Sequence, residues 1–155
     1  NKFNQREVIV YRSYKRFIGY STAFRQWRAD SHCSLVHGYA FCFKVWFEGE
    51  LDENGWVIDF GSFKRNGVKE WLKNMFDHTT CISADDPELE IFKEMHNRNI
   101  IDLRILENGV GCEKFAELVA LYLQDIVHRE TDGRASVSRV QCWEHEDNMA
   151  EYHIK

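Results

Sequence analysis

Residues Phe41-Cys-Phe-Lys-Val-Trp-Phe47 alternate between large apolar side chains and side chains of mixed character, which predicts a β-strand with one buried face. Asn54-Gly55 follows and is a strong hairpin signal, so we expect Trp56–Phe60 to return as the second strand of a β-ribbon. Before these residues, Glu7–Tyr20 mixes β-branched and aromatic residues with basic ones. We expect it to form a first, bent strand.

The rest of the chain alternates between helical and strand patterns. A first helix is expected to begin at Ser62, with apolar side chains at helical spacing: Val68, Trp71, Leu72, Met75 and Phe76. A short helix is expected from Pro87 to His96 and a long one over Cys112–His128, and two strands are expected around Ile101–Ile105 and Val140–Glu144. We therefore predict one α+β domain over residues 1–155, with two main helices on one face of an antiparallel sheet.

The composition excludes several classes of protein. The 155 residues are 44% hydrophobic with a formal net charge of −5, so neither nucleic acid nor an anionic membrane is an expected partner. The longest uncharged apolar stretch, near Ala40–Phe43, is far too short to span a bilayer. None of the five cysteines forms a CxxC pair, which excludes ribbon-type zinc sites and thioredoxin-type motifs. We recognise no signal peptide and expect an acidic cytoplasmic enzyme with reduced thiols.

Cys33 and His37 belong to the densest group of reactive residues, His32-Cys-Ser-Leu-Val-His-Gly-Tyr39, directly before the alternating strand. A cysteine four residues from a histidine at the start of a strand can act as a base or a nucleophile. A packed cysteine and a histidine bonded to the backbone would give the same spacing.

The Asp77-His78 pair and Glu144 indicate a functional site only when they are considered together with the other motifs. Asp77 precedes His78, and an adjacent carboxylate can orient an imidazole and raise its basicity, although the same pair is common in loops. Glu144 shares a face with buried residues of the last strand, where a carboxylate needs a partner. That partner could be a lysine, an arginine or a ligand with a guanidine-like edge, unless the strand end already exposes Glu144 to water.

In their order along the chain, these motifs resemble the 6-pyruvoyltetrahydropterin synthase / 6-carboxytetrahydropterin synthase family. The matching features, from Tyr20 to Tyr152, are Cys33–Gly38 (Cys-x3-His-Gly), Val57–Phe60 ahead of a helix, Phe76–His78 after it, Glu113 opening the second long helix and Glu144 ending the last strand. The resemblance implies a tunnelling fold, in which oligomerisation joins sheets into a barrel, commonly as a trimer stacked on a second trimer. It also implies a pterin pocket at the subunit interface.

The resemblance implies a role for each matching residue. Cys33 would be the proton-abstracting thiolate, with Asp77 and His78 of a neighbouring subunit as its partners. Glu144 would anchor the aminopyrimidine edge of the pterin, and Glu113 would be a secondary ligand-binding or structural carboxylate. The implied substrate is 7,8-dihydroneopterin triphosphate. The implied activity is that of a carbon–oxygen lyase, which eliminates triphosphate and then rearranges or cleaves the side chain, in a pterin or 7-deazaguanine pathway.

The family's zinc site is where this sequence departs from the pattern. Of the three histidine ligands that the resemblance implies, only His37 is retained. The second histidine of His-Gly-His is Tyr39, and the earlier one falls on Phe24 or, in a shifted alignment, on Arg28. Phenyl and guanidinium groups do not bind zinc, and a phenol with a pKa near 10 binds it poorly. We therefore expect no three-histidine zinc site and no tightly bound zinc.

Several substitutes for the metal remain open. His37 could rebuild a site with His32 or with Cys33, and Arg25 or Arg28 could supply a fixed cation or hold the triphosphate. Two functions are compatible with this pattern. One is a divergent synthase, and the alternative is an oligomeric pterin- or purine-binding protein of the same fold that has lost its zinc site and has lost or altered chemistry. In the family's pattern a pterin-anchoring threonine also precedes Glu113, at the position of Gly111.

Overall fold

Six strands and four α-helices are formed by residues 10–155, the part of the chain that the computed structural model describes. The strands are β1 (Tyr11–Phe24), β2 (His37–Gly49), β3 (Thr79–Ser83), β4 (Leu103–Leu106), β5 (Ala135–His145) and β6 (Asn148–His153). The helices are α1 (Ser62–Arg65), α2 (Val68–Phe76), α3 (Leu89–Asn97) and α4 (Cys112–Glu130). None of these helices is long and apolar enough to cross a membrane.

The strands form one sheet in the order β4-β3-β1-β2-β5-β6. The pairs β1–β2, β2–β5 and β5–β6 are antiparallel, as expected, whereas β3 lies parallel to β1 and β4 lies parallel to β3. Parallel neighbours need a crossover connection. The chain supplies it through α2, which leads into β3, and α3, which connects β3 to β4. The sheet is therefore mixed, and β3 and β6 are two strands that the sequence did not predict.

Aromatic rings fill the space between the sheet and the helices. The inward-facing side chains of β2 are fully buried, and they pack with buried side chains of the helices: Phe41, Phe43, Val45, Phe47, Phe63, Leu72, Phe76, Phe115 and Leu123. Trp71 of α2 stacks on Tyr122 of α4, with ring centroids 3.8 Å apart and planes inclined by 9°. The alternation along β2 and the helical patterns of α2 and α4 are confirmed.

The first strand bends where the sequence predicted a bent strand. Its register against β2 shifts between Ile18 and Tyr20, at Gly19, whose φ of +89° lies in the left-handed region that favours glycine. The strand continues beyond Tyr20 to Phe24, so that Phe24 lies opposite His37. Residues 7–9 of the predicted strand lie outside the described residues.

The predicted return strand at Trp56–Phe60 is wrong. Both edges of β2 are already paired, with β1 and β5, so a ribbon strand has no place beside it. A carboxylate oxygen of Asp52 instead accepts the N–H groups of Asn54 and Trp56, each at 2.9 Å. Arg134 donates to the carbonyl oxygen of Val57 at 2.9 Å. Side chains therefore satisfy the backbone groups that a strand would have paired.

The helix expected from Ser62 is divided into α1 and α2. Gly67 precedes α2 with a φ of +82°, a left-handed conformation that interrupts the helix. Ser62 lies within α1, where its hydroxyl donates to the carbonyl oxygen of Asp59 at 2.6 Å, so it is not the cap. The remaining helices, α3 and α4, agree with the predicted segments.

Candidate active site

Three side chains lie next to one another where β1 ends and β2 begins. Phe24 and His37 are opposite each other in the β1–β2 register, with ring centroids 4.6 Å apart. The ring of Tyr39, two residues along β2, lies 5.7 Å from that of His37 and 5.8 Å from that of His145 on β5. The rings of Phe24, His37 and Tyr39 form one wall of the candidate site, whereas His145 also lines a depression on the other face of the sheet.

Tyr39 is the point at which residues from distant parts of the chain meet. Burial raises the pKa of its phenol, and the negative charges that Glu144, Cys33 and Cys112 can carry raise it further. These groups come from the end of β5, from the loop before β2 and from the first residue of α4. Cys33 and Glu144 therefore lie in the part of the structure that surrounds Tyr39. Cys112 was not predicted to lie here, and its position at the start of α4, next to Glu113, was the available signal.

Glu144 lies at an irregularity of the β5–β6 register, between Trp143 and His145. It is half-buried, and no basic side chain of residues 10–155 forms an ion pair with it. Burying a carboxylate without a partner is unfavourable. A ligand that donates hydrogen bonds to the Glu144 carboxylate would therefore stabilise it.

Cys33 lies in a short 3-10 turn, His32–Ser34, that is tied to the end of β1. Its N–H donates to the hydroxyl of Ser31 at 3.3 Å, and its carbonyl oxygen accepts the N–H of Gln26 at 2.9 Å. The thiol is half-buried. Cys42 and Cys112 are also half-buried, whereas Cys81 and Cys142 are fully buried. Burial raises the pKa of Cys81 to about 12, which makes it a packing residue.

Asp77 and His78 form a side-chain pair at the junction of α2 and β3, with Asp77 Oδ1 and His78 Nδ1 3.1 Å apart. A hydrogen bond from the backbone N–H of Ser21, together with this imidazole, lowers the pKa of Asp77. His78 has a φ of +57°, and its side chain is 84% exposed. His78 lines a surface depression that includes Thr79 and His96 but not Cys33. Within a single chain, Asp77 and His78 do not line the same depression as Cys33. That this pair assists Cys33 of a neighbouring subunit stays a prediction.

Arg25 and Arg28 are each paired with a carboxylate of the same loop. Arg25 donates two hydrogen bonds to Asp86, at 2.7 and 2.6 Å, and the two side chains are 19% and 1% exposed. Arg28 donates to Asp85 at 2.8 Å, stays 72% exposed and lies over the ring of Trp27. That either arginine holds the triphosphate stays a prediction, and ligand binding there would compete with these pairs.

The start of α4 disfavours the side chain that the family pattern places before Glu113. Gly111 has a φ of +115°, and a Cβ at this residue would lie 2.3 Å from Nε2 of Gln26. A threonine would therefore strain the backbone here, and the Gln26 amide would have to move. Glu113 lies in the exposed first turn of α4.

The three positions that hold zinc in the family's pattern do not fit zinc in this chain. Phe24 lies opposite His37 in the β1–β2 register, whereas Arg28 is paired with Asp85. The position of the family's first histidine ligand therefore corresponds to Phe24 rather than to Arg28. His37 Nδ1 lies 2.7 Å from the carbonyl oxygen of Leu35, which can only accept, so Nδ1 carries the proton and Nε2 is left as the one possible ligand atom. His32 is exposed on the 3-10 turn. Within residues 10–155, no three His, Cys, Asp or Glu side chains are grouped to hold a metal ion.

Comparison with known proteins identifies the family. The family model described as 6-pyruvoyl tetrahydropterin synthase matches residues 13–155. The chain belongs to this family. A relative from Halobacterium salinarum, named a probable 6-carboxy-5,6,7,8-tetrahydropterin synthase, is 32% identical over 123 residues, covering 79% of this chain and 76% of that protein. A putative 6-carboxy-5,6,7,8-tetrahydropterin synthase from Archaeoglobus fulgidus is 31% identical over 112 residues, covering 65% and 93%.

Solved structures confirm the tunnelling fold of this 6-pyruvoyl tetrahydropterin synthase family member. An uncharacterised protein from Wolinella succinogenes superposes with a TM-score of 0.82 at 17% identity, covering 95% of this chain and 99% of that one. The Caenorhabditis elegans 6-pyruvoyl tetrahydropterin synthase superposes with a TM-score of 0.60 at 18% identity, covering 97% and 100%. The order of motifs therefore identified the family and the fold correctly.

Proposed function

We propose that this chain is a divergent carbon–oxygen lyase that acts on 7,8-dihydroneopterin triphosphate. The observation that carries the proposal is the position of Tyr39, whose ring lies 5.7 Å from that of His37 and 5.8 Å from that of His145, next to the segments that carry Cys33 and Glu144, within a chain of the 6-pyruvoyl tetrahydropterin synthase family. A thiol and an unpaired carboxylate at one aromatic wall provide a base and an anchor for a flat heterocycle.

Glu144 is the proposed anchor for the pterin. The aminopyrimidine edge of a pterin carries two N–H groups that point the same way, and a carboxylate can accept both in parallel hydrogen bonds. The rings of His37 and Tyr39, with centroids 5.7 Å apart, offer apolar surface to the heterocycle.

Cys33 is the proposed base. Its thiolate takes a proton from the side-chain carbon next to the phosphorylated carbon, and the electron pair of that C–H bond becomes a C=C bond. The bond between the phosphorylated carbon and the triphosphate oxygen breaks, and its electron pair leaves with the triphosphate. We propose that Asp77 and His78 of a neighbouring subunit assist, because this exposed pair is already oriented by its own hydrogen bond.

The test is to incubate the purified protein with 7,8-dihydroneopterin triphosphate, to measure triphosphate release and to separate the pterin products. Release that depends on protein concentration supports the proposal, and the products show which side-chain chemistry follows. Pterin binding without release would support the pterin- or purine-binding alternative. Neither binding nor release would overturn the proposal.

Glu144→Gln is expected to weaken pterin binding about 10-fold to 100-fold, because a charge-assisted hydrogen bond is worth about 1.5–3 kcal/mol and the amide presents an N–H group where the ligand needs an acceptor. Quenching of tryptophan fluorescence by a dihydropterin measures the affinity. The control is Glu146→Gln, an exposed residue that lines the depression on the opposite sheet face and is expected to bind as the wild type does. Equal affinity in the two variants would remove Glu144 from the site.

Self-association, as a trimer or a hexamer, is part of the proposal. Within residues 10–155 the sheet ends in two edge strands, β4 and β6, which carry the exposed apolar side chains of Ile105 and Met149. Pairing of such edges between copies would also bring His78 of one subunit toward another. Sedimentation velocity at micromolar concentration is expected to give a multiple of the 18.4 kDa chain, and a stable monomer would contradict this.

A further inference from the structure

We propose that the hydroxyl of Tyr39 is the electrophile of this site, donating a hydrogen bond to the substrate's side-chain oxygen where a metal ion would otherwise bind it. This inference rests on the proposed function. It assigns a catalytic role to a residue that motif matching counts only as a missing zinc ligand.

The position of Tyr39 carries the inference. Its ring centroid lies 5.7 Å from that of His37 and 5.8 Å from that of His145, so two neighbouring rings limit its orientation. Cys33 lies in the turn before β2, and Glu144 precedes His145 on β5, so the proposed base and the proposed anchor come from segments next to this ring. No side chain of residues 10–155 forms a hydrogen bond that shifts its pKa, so the hydroxyl is available to a ligand.

The chemistry needs a donor at this point. Removal of a proton by the Cys33 thiolate is easier when the oxygen on the same carbon is polarised, because electron density is then withdrawn from the C–H bond. Loss of triphosphate leaves an enol, which becomes a ketone when the enol proton is lost and the terminal carbon is protonated. The Tyr39 O–H can donate first to the hydroxyl oxygen and then to the carbonyl oxygen. A phenol is protonated at neutral pH, so it needs no metal to act as a donor.

The wall around Tyr39 favours this arrangement over a rebuilt zinc site. Phe24 fills the position opposite His37 with a ring that is 3% exposed and packs edge-on against Phe115, with centroids 5.6 Å apart. This buried apolar ring, with its centroid 6.5 Å from that of Tyr39, offers no ligand atom. Apolar surroundings strengthen a hydrogen bond.

The test compares Tyr39→Phe with the wild type. The variant keeps the ring and loses only the O–H, so kcat for triphosphate release is expected to fall about 10²-fold, as when a single oxyanion donor is removed. The dissociation constant for a dihydropterin is expected to stay within about 2-fold, because Glu144 provides the anchor. Tyr122→Phe, which removes a half-buried phenol stacked on Trp71 far from the site, is the matched control and is expected to release triphosphate as the wild type does.

Zinc content gives a readout that is independent of turnover. Wild-type protein prepared without chelators is expected to hold well under one zinc per subunit, whereas Phe24→His/Tyr39→His, with His37 retained, is expected to gain about one. Because Phe24 is buried, Tyr39→His alone is measured too, and it is expected to bind zinc more weakly than the double variant.

One zinc per wild-type subunit, or equal kcat in Tyr39→Phe and wild type, would overturn the inference. A wild type that neither binds pterin nor releases triphosphate would overturn the proposed function, and this inference with it.

Discussion

Cys33→Ala is expected to lower triphosphate release about 10²-fold to 10⁴-fold, the contribution that a positioned base makes to proton transfer. The fold is expected to survive, because Cys33 lies in a half-buried turn outside the core. Release rates under saturating substrate, together with far-UV circular dichroism, test both statements. A variant as active as the wild type would show that the thiol is not the base.

Cys42→Ala is the matched thiol control. Cys42 is also half-buried, but it lies on β2 with its side chain in the depression on the sheet face away from the helices. It is expected to change turnover little, whereas Cys142→Ala, at a fully buried position, is expected to cost stability rather than turnover.

Mixed oligomers can show whether Cys33 and His78 act across a subunit interface. Cys33→Ala and His78→Ala chains are each expected to be nearly inactive alone. If one site takes Cys33 from one chain and His78 from the next, random mixing restores about a quarter of the sites. No recovery in mixed oligomers, with both variants folded, would contradict the shared site.

The alternating pattern of β2 and the helical spacing of α2 and α4 made these elements predictable, because each element has one buried face and one exposed face. The mixed sheet was harder to foresee. β3 is buried at every residue, so it shows no alternation, and β6 is a short edge strand whose pairing depends on β5. The failed return strand at Trp56–Phe60 has a tertiary cause: β2 has no free edge.

The candidate site was predictable as a set of residues but not as an arrangement. Cys33, Glu144 and His37 were recognised by type and spacing, yet their meeting at Tyr39 depends on the approach of β5 and α4, which no local pattern encodes. The partners of Arg25 and Arg28 were also hidden, because Asp85 and Asp86 lie about 60 residues away along the chain and reach these arginines only in the folded protein. Two arginines three residues apart in a sequence, such as Arg25 and Arg28, indicate that an anion lies nearby, but not whether that anion belongs to a ligand.

Arg25→Met is expected to destabilise the protein by about 3 kcal/mol at neutral pH, because it leaves Asp86, whose side chain is 1% exposed, without its partner. The bidentate pair connects the end of β1 to the residues before α3, and Arg25 also reaches the carbonyl oxygen of Ser34 at 3.4 Å, next to Cys33. Urea unfolding followed by tryptophan fluorescence measures the loss. Arg28→Met is the matched control, since its ion pair with Asp85 is exposed and is expected to contribute little.

The pH dependence separates this ion pair from simple loss of packing. The Arg25 guanidinium lowers the pKa of Asp86 in the folded wild type, so the pair stabilises the protein above the unfolded carboxyl pKa of about 4, and the contribution is lost as the pH falls through the lower folded value. In Arg25→Met the buried carboxyl has lost that cation, and protonation relieves its cost. The difference in unfolding free energy between wild type and variant is therefore expected to shrink from pH 7 to pH 4.

In Arg25→Met/Asp86→Asn, which leaves no unpaired charge, part of the stability is expected to return at pH 7. A loss that is constant with pH and is unchanged in the double variant would assign the role of Arg25 to packing against Phe92, over whose ring its guanidinium lies at 5.9 Å.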